Sequence, residues 1–311
     1  MNNQYCKKFL VLSNDASRYI NTKNTNIISL YNTLNQNFLY RIIRKFCLKH
    51  NLFASLFFGT WYKKSHYSVI VLFDTGNANY IFNILKKRYP YSRLILWYWN
   101  PVSCSLPISK LDRSICEIWS YSVEDCKTYN LFYNTQFYTL PSTEIEQIDP
   151  EICNDVYFIG VDKNRAPILT NLKHIFDKLD ISFKLVLIRT NYSYSSELTY
   201  SEPISYQENQ INIINSKCIL DIADDGHKSA LSLRIFEATI NKKKFITNDS
   251  SVMELKFYNP SNIFILEKDN LLNIKEFINS PFVDIEESKL NYYEYHSWIL
   301  RFDHKSSKQR L

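Results

Sequence analysis

Short apolar runs alternate along the chain with longer stretches in which apolar positions recur every three or four residues. Residues 9–13 form an apolar run that stops at Asn14 and Asp15, which predicts a first strand. Over 27–50 the spacing of Ile28, Leu30, Tyr31, Leu34, Phe38, Leu39, Ile42, Ile43, Phe46 and Leu48 is helical, with Arg41, Arg44, Lys45 and Lys49 on the other side. The β-branched run at 68–73 predicts a buried strand, followed by a turn at 74–77 and a helix at 79–87. Further strands are predicted at 94–99, closed by Asn100 and Pro101, and at 117–120. A helix then starts near Ser122, with Glu124 and Asp125 in its first turn, where acids suit the helix dipole.

The segment 141–155 has two prolines, an excess of acids and little periodicity, and reads as a linker between domains of 1–148 and 149–311. Beyond it the alternation resumes. Strands are predicted at 156–160, 183–188, 218–222, 245–247 and 262–266, helices at 167–179, 206–215, 231–240 and 271–278, and a polar loop at 190–203. A final helical stretch near 286–302, carrying Tyr292, Tyr293, Tyr295, Trp298 and Ile299, is a candidate to pack back on the first domain. Strands alternating with helices of this length predict parallel sheets joined by right-handed crossovers. The expected fold is α/β, two doubly wound, Rossmann-like domains facing a cleft, with ligands beyond the carboxyl ends of the strands.

Charge separates the halves. Residues 1–150 hold 17 Lys and Arg against 9 Asp and Glu, whereas 151–311 hold 20 against 22. The basic half is expected to face something anionic. Basic and aromatic residues interleave over 38–67, a pattern that suits the surface of an anionic membrane, or equally a core-facing helix with a charged back. The seven cysteines show no CxxC spacing, which fits reduced thiols. The apolar run at 9–12 is too short for a signal peptide, and no run approaches a membrane span, so a cytoplasmic protein is expected.

Only four glycines occur, and Gly76, Gly160 and Gly226 follow predicted strands. Neither GxGxxG nor a P-loop is present, which argues against an NAD-type site and a P-loop NTPase. The richest stretch is 218–249, where a buried strand runs into an acidic turn (Asp221, Asp224, Asp225, Gly226) and a helix opens near Ser229. Helix amides there, with His227 and Lys228, suit a diphosphate. Arg234 and Glu237 lie one turn apart, and a glutamate in this place can accept both hydroxyls of a ribose.

This stretch resembles the donor site of GT-B glycosyltransferases. Positions 232–237 (SLRIFE), 243–248 (KKFITN) and 257–266 (FYNPSNIFIL) resemble a bacterial surface-polysaccharide group. Over the whole chain the sequence is similar to enterobacterial lipopolysaccharide core biosynthesis proteins regarded as rhamnosyltransferases. The resemblance implies a donor site of Asp225, Gly226, His227, Lys228, Ser229, Ser232, Arg234 and Glu237, completed by the glycine turn Gly160, Asp162, Lys163 and Arg165. It also implies dTDP-L-rhamnose as donor, a lipid A-core acceptor at its Kdo region, the anionic inner-membrane face as a peripheral partner, and neither metal nor other cofactor. Many retaining GT-B enzymes carry a second glutamate eight positions before the ribose glutamate; here Ser229 stands there, which suits inversion from a β-L-rhamnosyl nucleotide to an α-L-rhamnoside.

An inverting transfer needs a base for the acceptor hydroxyl, and Asp15 and Asp74, each after a predicted strand, are the candidates. Two other readings exist. Asp221, Asp224 and Asp225 could hold a divalent cation in a metal-dependent, GT-A-type sugar transferase. The basic half could instead bind nucleic acid, although no zinc, RRM-like or helix-turn-helix signature is present.

Overall fold

The computed structural model describes residues 8–14, 26–32, 37–50, 52–63, 66–139, 153–190, 197–223 and 231–303. The chain divides into two compact units. Met1–Thr143 and Tyr292–Leu311 form unit 1, and Glu144–Asn291 forms unit 2. Most of the proposed linker lies outside the described residues.

Unit 1 contains strands β1 (Phe9–Ser13), β2 (Ile27–Ser29), β3 (Val69–Phe73), β4 (Arg93–Tyr98), β5 (Glu117–Ser120) and β6 (Phe132–Tyr133). Its helices are α1 (Phe38–Lys49), α2 (Ala78–Arg88) and α3 (Val123–Tyr129). The strands form one sheet in the order β2-β1-β3-β4-β5-β6, and every pairing is parallel. Successive residues on a strand point to opposite faces, yet Val71, Leu72, Ile95 and Leu96 are all fully buried. Both faces of the sheet are therefore covered, as parallel sheets require.

The helical reading of 27–50 is corrected at its start. Ile27–Ser29 pairs in register with Val11–Ser13, and Tyr31 bridges to Phe58. The helix begins only after Asn37, whose side chain accepts the Tyr40 N–H at 2.9 Å. Residues 27–29 form an edge strand because pairing with β1 outweighs local periodicity. The two-residue β6 was not predicted.

Unit 2 contains β7 (Asn154–Val161), β8 (Phe183–Ile188), β9 (Tyr200–Ser201), β10 (Ser216–Asp221), β11 (Lys244–Thr247) and β12 (Ile263–Ile265). Its helices are α4 (Ala166–Lys178), α5 (Tyr206–Ile214), α6 (Arg234–Ile240), α7 (Ile274–Asn279) and α8 (Glu287–Asn291). The sheet order is β12-β11-β10-β7-β8-β9, again parallel throughout. The expected loop at 190–203 contains β9, which is held to β8 by only two registered pairs.

The expected continuous helix near 286–302 is broken. α8 ends at Asn291, and α9 (Tyr295–Leu300) starts after Glu294, whose carboxylate accepts the His296 N–H at 2.7 Å. Tyr138 forces the break: its N–H donates to Tyr293 O and its carbonyl accepts from Tyr295 N–H. α9 then belongs to unit 1. Trp298 is fully buried there, with Phe137 at 4.3 Å and Trp97 at 5.4 Å between ring centroids. Among the described residues no helix is long and apolar enough to cross a membrane, and Cys47, Cys116, Cys126 and Cys218 are free thiols.

Candidate functional site

Strand order decides where loops from distant parts of the chain meet. In unit 2 the chain runs from β7 outward to β8 and β9, then returns to lay β10 on the other side of β7. That reversal is a topological switch point, and ligands of such sheets bind beyond the carboxyl ends there. The two segments that leave this point are 161–165 after β7 and 222–237 after β10.

The first segment is tied to itself. Asp162 is 1% exposed, and both its oxygens are engaged: one accepts the Ala166 N–H at 2.9 Å, the other the Tyr200 hydroxyl at 2.7 Å. It caps α4 and anchors β9. Arg165 curls back to donate to Val161 O at 2.9 Å. Its guanidinium passes Gly160 so closely that an added Cβ would stand 3.3 Å from Nη1 and 3.1 Å from Phe158 Cζ. Gly160 thus leaves room for a side chain. Lys163 and Asn164 are exposed in the left-handed region, with φ of 42° and 67°; a lysine rarely adopts it. Arg189, directly after β8 at the same edge, lies over the Tyr200 ring at 4.7 Å. Sequence reasoning did not single it out; an arginine directly after the strand predicted at 183–188 was the available signal.

The second segment carries the ionisable cluster. Asp225, Gly226, His227, Lys228 and Ser229 lie outside the described residues, as does Asp224. The helix predicted to open near Ser229 instead starts at Arg234, since 231–233 are not helical. Ser232 explains the delay, because its hydroxyl accepts the Arg234 N–H at 3.3 Å and competes with earlier helical bonding. Arg234 turns to Asp221, Nη1 to Oδ1 at 2.5 Å, rather than to Glu237. Asp221, one of the three carboxylates in the metal-based reading, is 4% exposed and already has this cation beside it.

Glu237 is half-buried, and among the described residues its carboxylate has no hydrogen-bond partner. Burial raises its pKa; Arg234 opposes the rise and Asp221 adds to it. Two tyrosines sense this charge. Burial pushes the Tyr157 phenol up to about 12, with smaller contributions from its surroundings, including Arg234 and Glu237. Partial burial and then Glu237 raise Tyr206 at the start of α5. Neither tyrosine was foreseen, because a strand interior and a helix start mark them only as packing residues. Asn248, the last residue of the KKFITN segment, fixes the exit of β10: its Oδ1 accepts Ala223 N–H at 2.7 Å and its Nδ2 donates to Ala223 O at 3.3 Å.

In unit 1 the reversal falls between β1 and β3, so the segments after Ser13 and Phe73 share its switch point. Asp15 lies outside the described residues. Asp74 immediately follows β3; its Oδ1 accepts the Trp99 N–H at 3.1 Å, and its own N–H donates to Trp97 O at 3.0 Å. Burial raises its pKa, against the lowering effect of the Trp99 amide. Asn100 is exposed and follows the end of β4, where Pro101 stops the strand.

No protein-family model matches the chain, and no curated protein matches its sequence. Solved structures do. The sucrose-phosphate synthase of Thermosynechococcus elongatus is similar with a TM-score of 0.52 and 8% identity, over 95% of this chain and 97% of that chain. The N-terminal domain of Candida albicans trehalose-6-phosphate phosphatase gives 0.49 and 11%, over 96% of each. The lipopolysaccharide outer core galactosyltransferase WaaB gives 0.44 and 12%, over 93% of this chain and 85% of that one. At such identities the likeness is one of fold. The likeness to the sucrose-phosphate synthase, together with the two parallel six-stranded sheets, establishes a two-domain α/β fold of GT-B type; the alternation of elements predicted the two doubly wound domains, and the resemblance implied the GT-B type.

Proposed function

We propose that the chain is a glycosyltransferase in which unit 2 binds a nucleotide sugar and a carboxylate of unit 1 deprotonates the acceptor hydroxyl. The observation that carries this reading is Glu237, a half-buried carboxylate without a hydrogen-bond partner among the described residues, on the segment leaving a switch point. A pair of ligand hydroxyls, such as those of a ribose, would satisfy it. Lys163 and Arg189 supply positive charge for the diphosphate at the same edge; His227 and Lys228, expected from the sequence to add donors, lie outside the described residues. The acceptor oxygen attacks the anomeric carbon, the bond from that carbon to the phosphate oxygen breaks, and the diphosphate leaves with the electron pair. The acceptor proton passes to Asp74 or Asp15. Asp74 suits this role because its raised pKa makes it a stronger base than an ordinary aspartate.

The resemblance of 232–237, 243–248 and 257–266 to enterobacterial lipopolysaccharide core proteins supports the finer assignment. The donor is dTDP-L-rhamnose, transfer proceeds with inversion and without a metal, and the acceptor is the Kdo region of a lipid A-core. The enzyme then works at the cytoplasmic face of the inner membrane. Calorimetry of the full chain against a panel of nucleotide sugars, with and without EDTA, tests this. The expected result is binding of dTDP-L-rhamnose at least tenfold tighter than other nucleotide sugars and insensitive to EDTA. Preference for another donor corrects the sugar; binding abolished by EDTA restores the metal reading; no binding to any member of the panel refutes the transferase.

A further inference from the structure

A second surface of unit 1 takes no part in this chemistry. At about 100° per residue, the side chains of α1 fall into three sectors. Tyr40, Cys47 and Leu48 face the unit, with Leu48 buried and Tyr40 packed edge-on against Phe57 at 5.5 Å. Arg41, Lys45 and Lys49 form an exposed row at successive turns. The third sector is apolar and exposed: Phe38 is 79% exposed and Phe46 57%, with Leu39, Ile42 and Ile43 between them. The following turn extends it through Phe53, 68% exposed, and Leu56, 76% exposed.

This corrects the expectation of a core-facing helix with a charged back. α1 has one apolar face turned inward and a second turned outward, and packing onto its own unit accounts only for the first. A contiguous exposed apolar patch of this kind marks an interaction surface. Its orientation is fixed from beneath, because Arg44 lies over the Tyr31 ring at 4.9 Å and Tyr40 is seated on Phe57.

Charge selects the occupant. Between Asp15 and Asp74 the chain has no acidic residue and eight Lys and Arg. An apolar protein groove would need only the outward sector. A bilayer with anionic headgroups uses both features in the arrangement found here, with apolar side chains at the acyl boundary and a flanking cationic row at the depth of the phosphates. We propose that α1 and the turn after it form a membrane-docking surface for anionic lipid, lying in the interfacial plane. Phe38, Ile42, Phe46 and Phe53 enter the bilayer, and the Arg41–Lys45–Lys49 row meets the headgroups. This rests on α1 and its surroundings alone and holds whichever donor unit 2 takes.

The test is co-sedimentation of the full chain with vesicles of pure phosphatidylcholine and with vesicles of equal parts phosphatidylcholine and phosphatidylglycerol. Two double variants on exposed positions accompany it, Ile42→Ser with Phe46→Ser and Lys45→Glu with Lys49→Glu, and unchanged thermal melts show that the fold is kept. Wild type is expected to bind the anionic vesicles and release them in high salt. Each double variant should lose affinity by roughly tenfold or more. Equal binding to both vesicle types, or anionic binding unmoved by either variant, overturns the proposal. So does a wild-type dimer that ignores vesicles and falls to monomer with the serine pair, which would assign the face to a second copy of the chain.

Discussion

Replacing Glu237 by glutamine keeps the shape of the side chain and removes its charge. Hydrogen bonds to a charged group contribute about 1.5–3 kcal/mol each. A carboxylate taking two ligand hydroxyls and reduced to a neutral amide therefore loses about 2–4 kcal/mol of donor binding, roughly 30- to 1,000-fold in Kd. Stability of the unliganded protein moves the other way. Glu237 has a folded pKa above its unfolded value, so within that window the native state holds the extra proton and stability declines as pH rises. Wherever it is ionised, the group is a cost to the free protein, and no hydrogen bond among the described residues is lost on replacing it. The Tm of the glutamine variant should match or exceed wild type, while the rise in Tm that donor gives by mass action should shrink. Calorimetric titration and thermal scans at pH 7 read both quantities. Unchanged donor affinity would refute the assignment, and so would a variant that binds weakly only because its Tm has fallen.

Arg234→Met should behave differently. It leaves Asp221 buried without its cation, a change that costs about 3–5 kcal/mol, read as a lowered denaturation midpoint. Asp74→Asn should lower kcat at least about 100-fold with donor Kd unchanged. In wild type the rate should fall as pH is lowered through a pKa above the ordinary carboxylate range, and the variant's residual rate should lack that limb. Trp298→Ala should cost about 3–5 kcal/mol in urea unfolding, since the ring is fully buried among Trp97, Phe137 and Phe302.

Elements with strong local signals were legible in the sequence. The strand at Glu117–Ser120 and the helix after Ser122, whose hydroxyl accepts the Asp125 N–H at 3.1 Å, stand where the apolar run and the cap put them. What escaped was decided by partners distant in sequence. Ile27–Ser29 is a strand because β1 lies beside it, and the stretch near 286–302 breaks because Tyr138 pairs with Tyr293 and Tyr295. In the candidate site, residue types were legible and their engagements were not. Asp162, Arg165, Arg234 and Glu237 all looked equally available. Three of them prove to be tied into the scaffold, through the α4 cap and Tyr200, through Val161 O and through Asp221. Periodicity cannot reveal such commitments: those to Tyr200 and Asp221 depend on how strands are laid side by side, and those to Ala166 and Val161 on the backbone path of the turn itself.

Strand order is also what gives Glu237 its meaning. A carboxylate one turn into a seven-residue helix would be unremarked on most surfaces, and α6 is too short for its dipole to define a site. Laying β10 against β7 brings the exits of two strands separated by more than fifty residues to one edge. Asp162 and Asp221 also lie at this edge, and both are neutralised or saturated by the protein itself, whereas Glu237 is kept half-buried with its pKa raised. The arrangement is a net penalty on the charge, since burial disfavours it most, Arg234 offsets only part of that, and Asp221 adds to it. In the function proposed above, a group held at a net cost beside a switch point is the one that ligand hydroxyls satisfy, since hydroxyls are partners a lone carboxylate accepts.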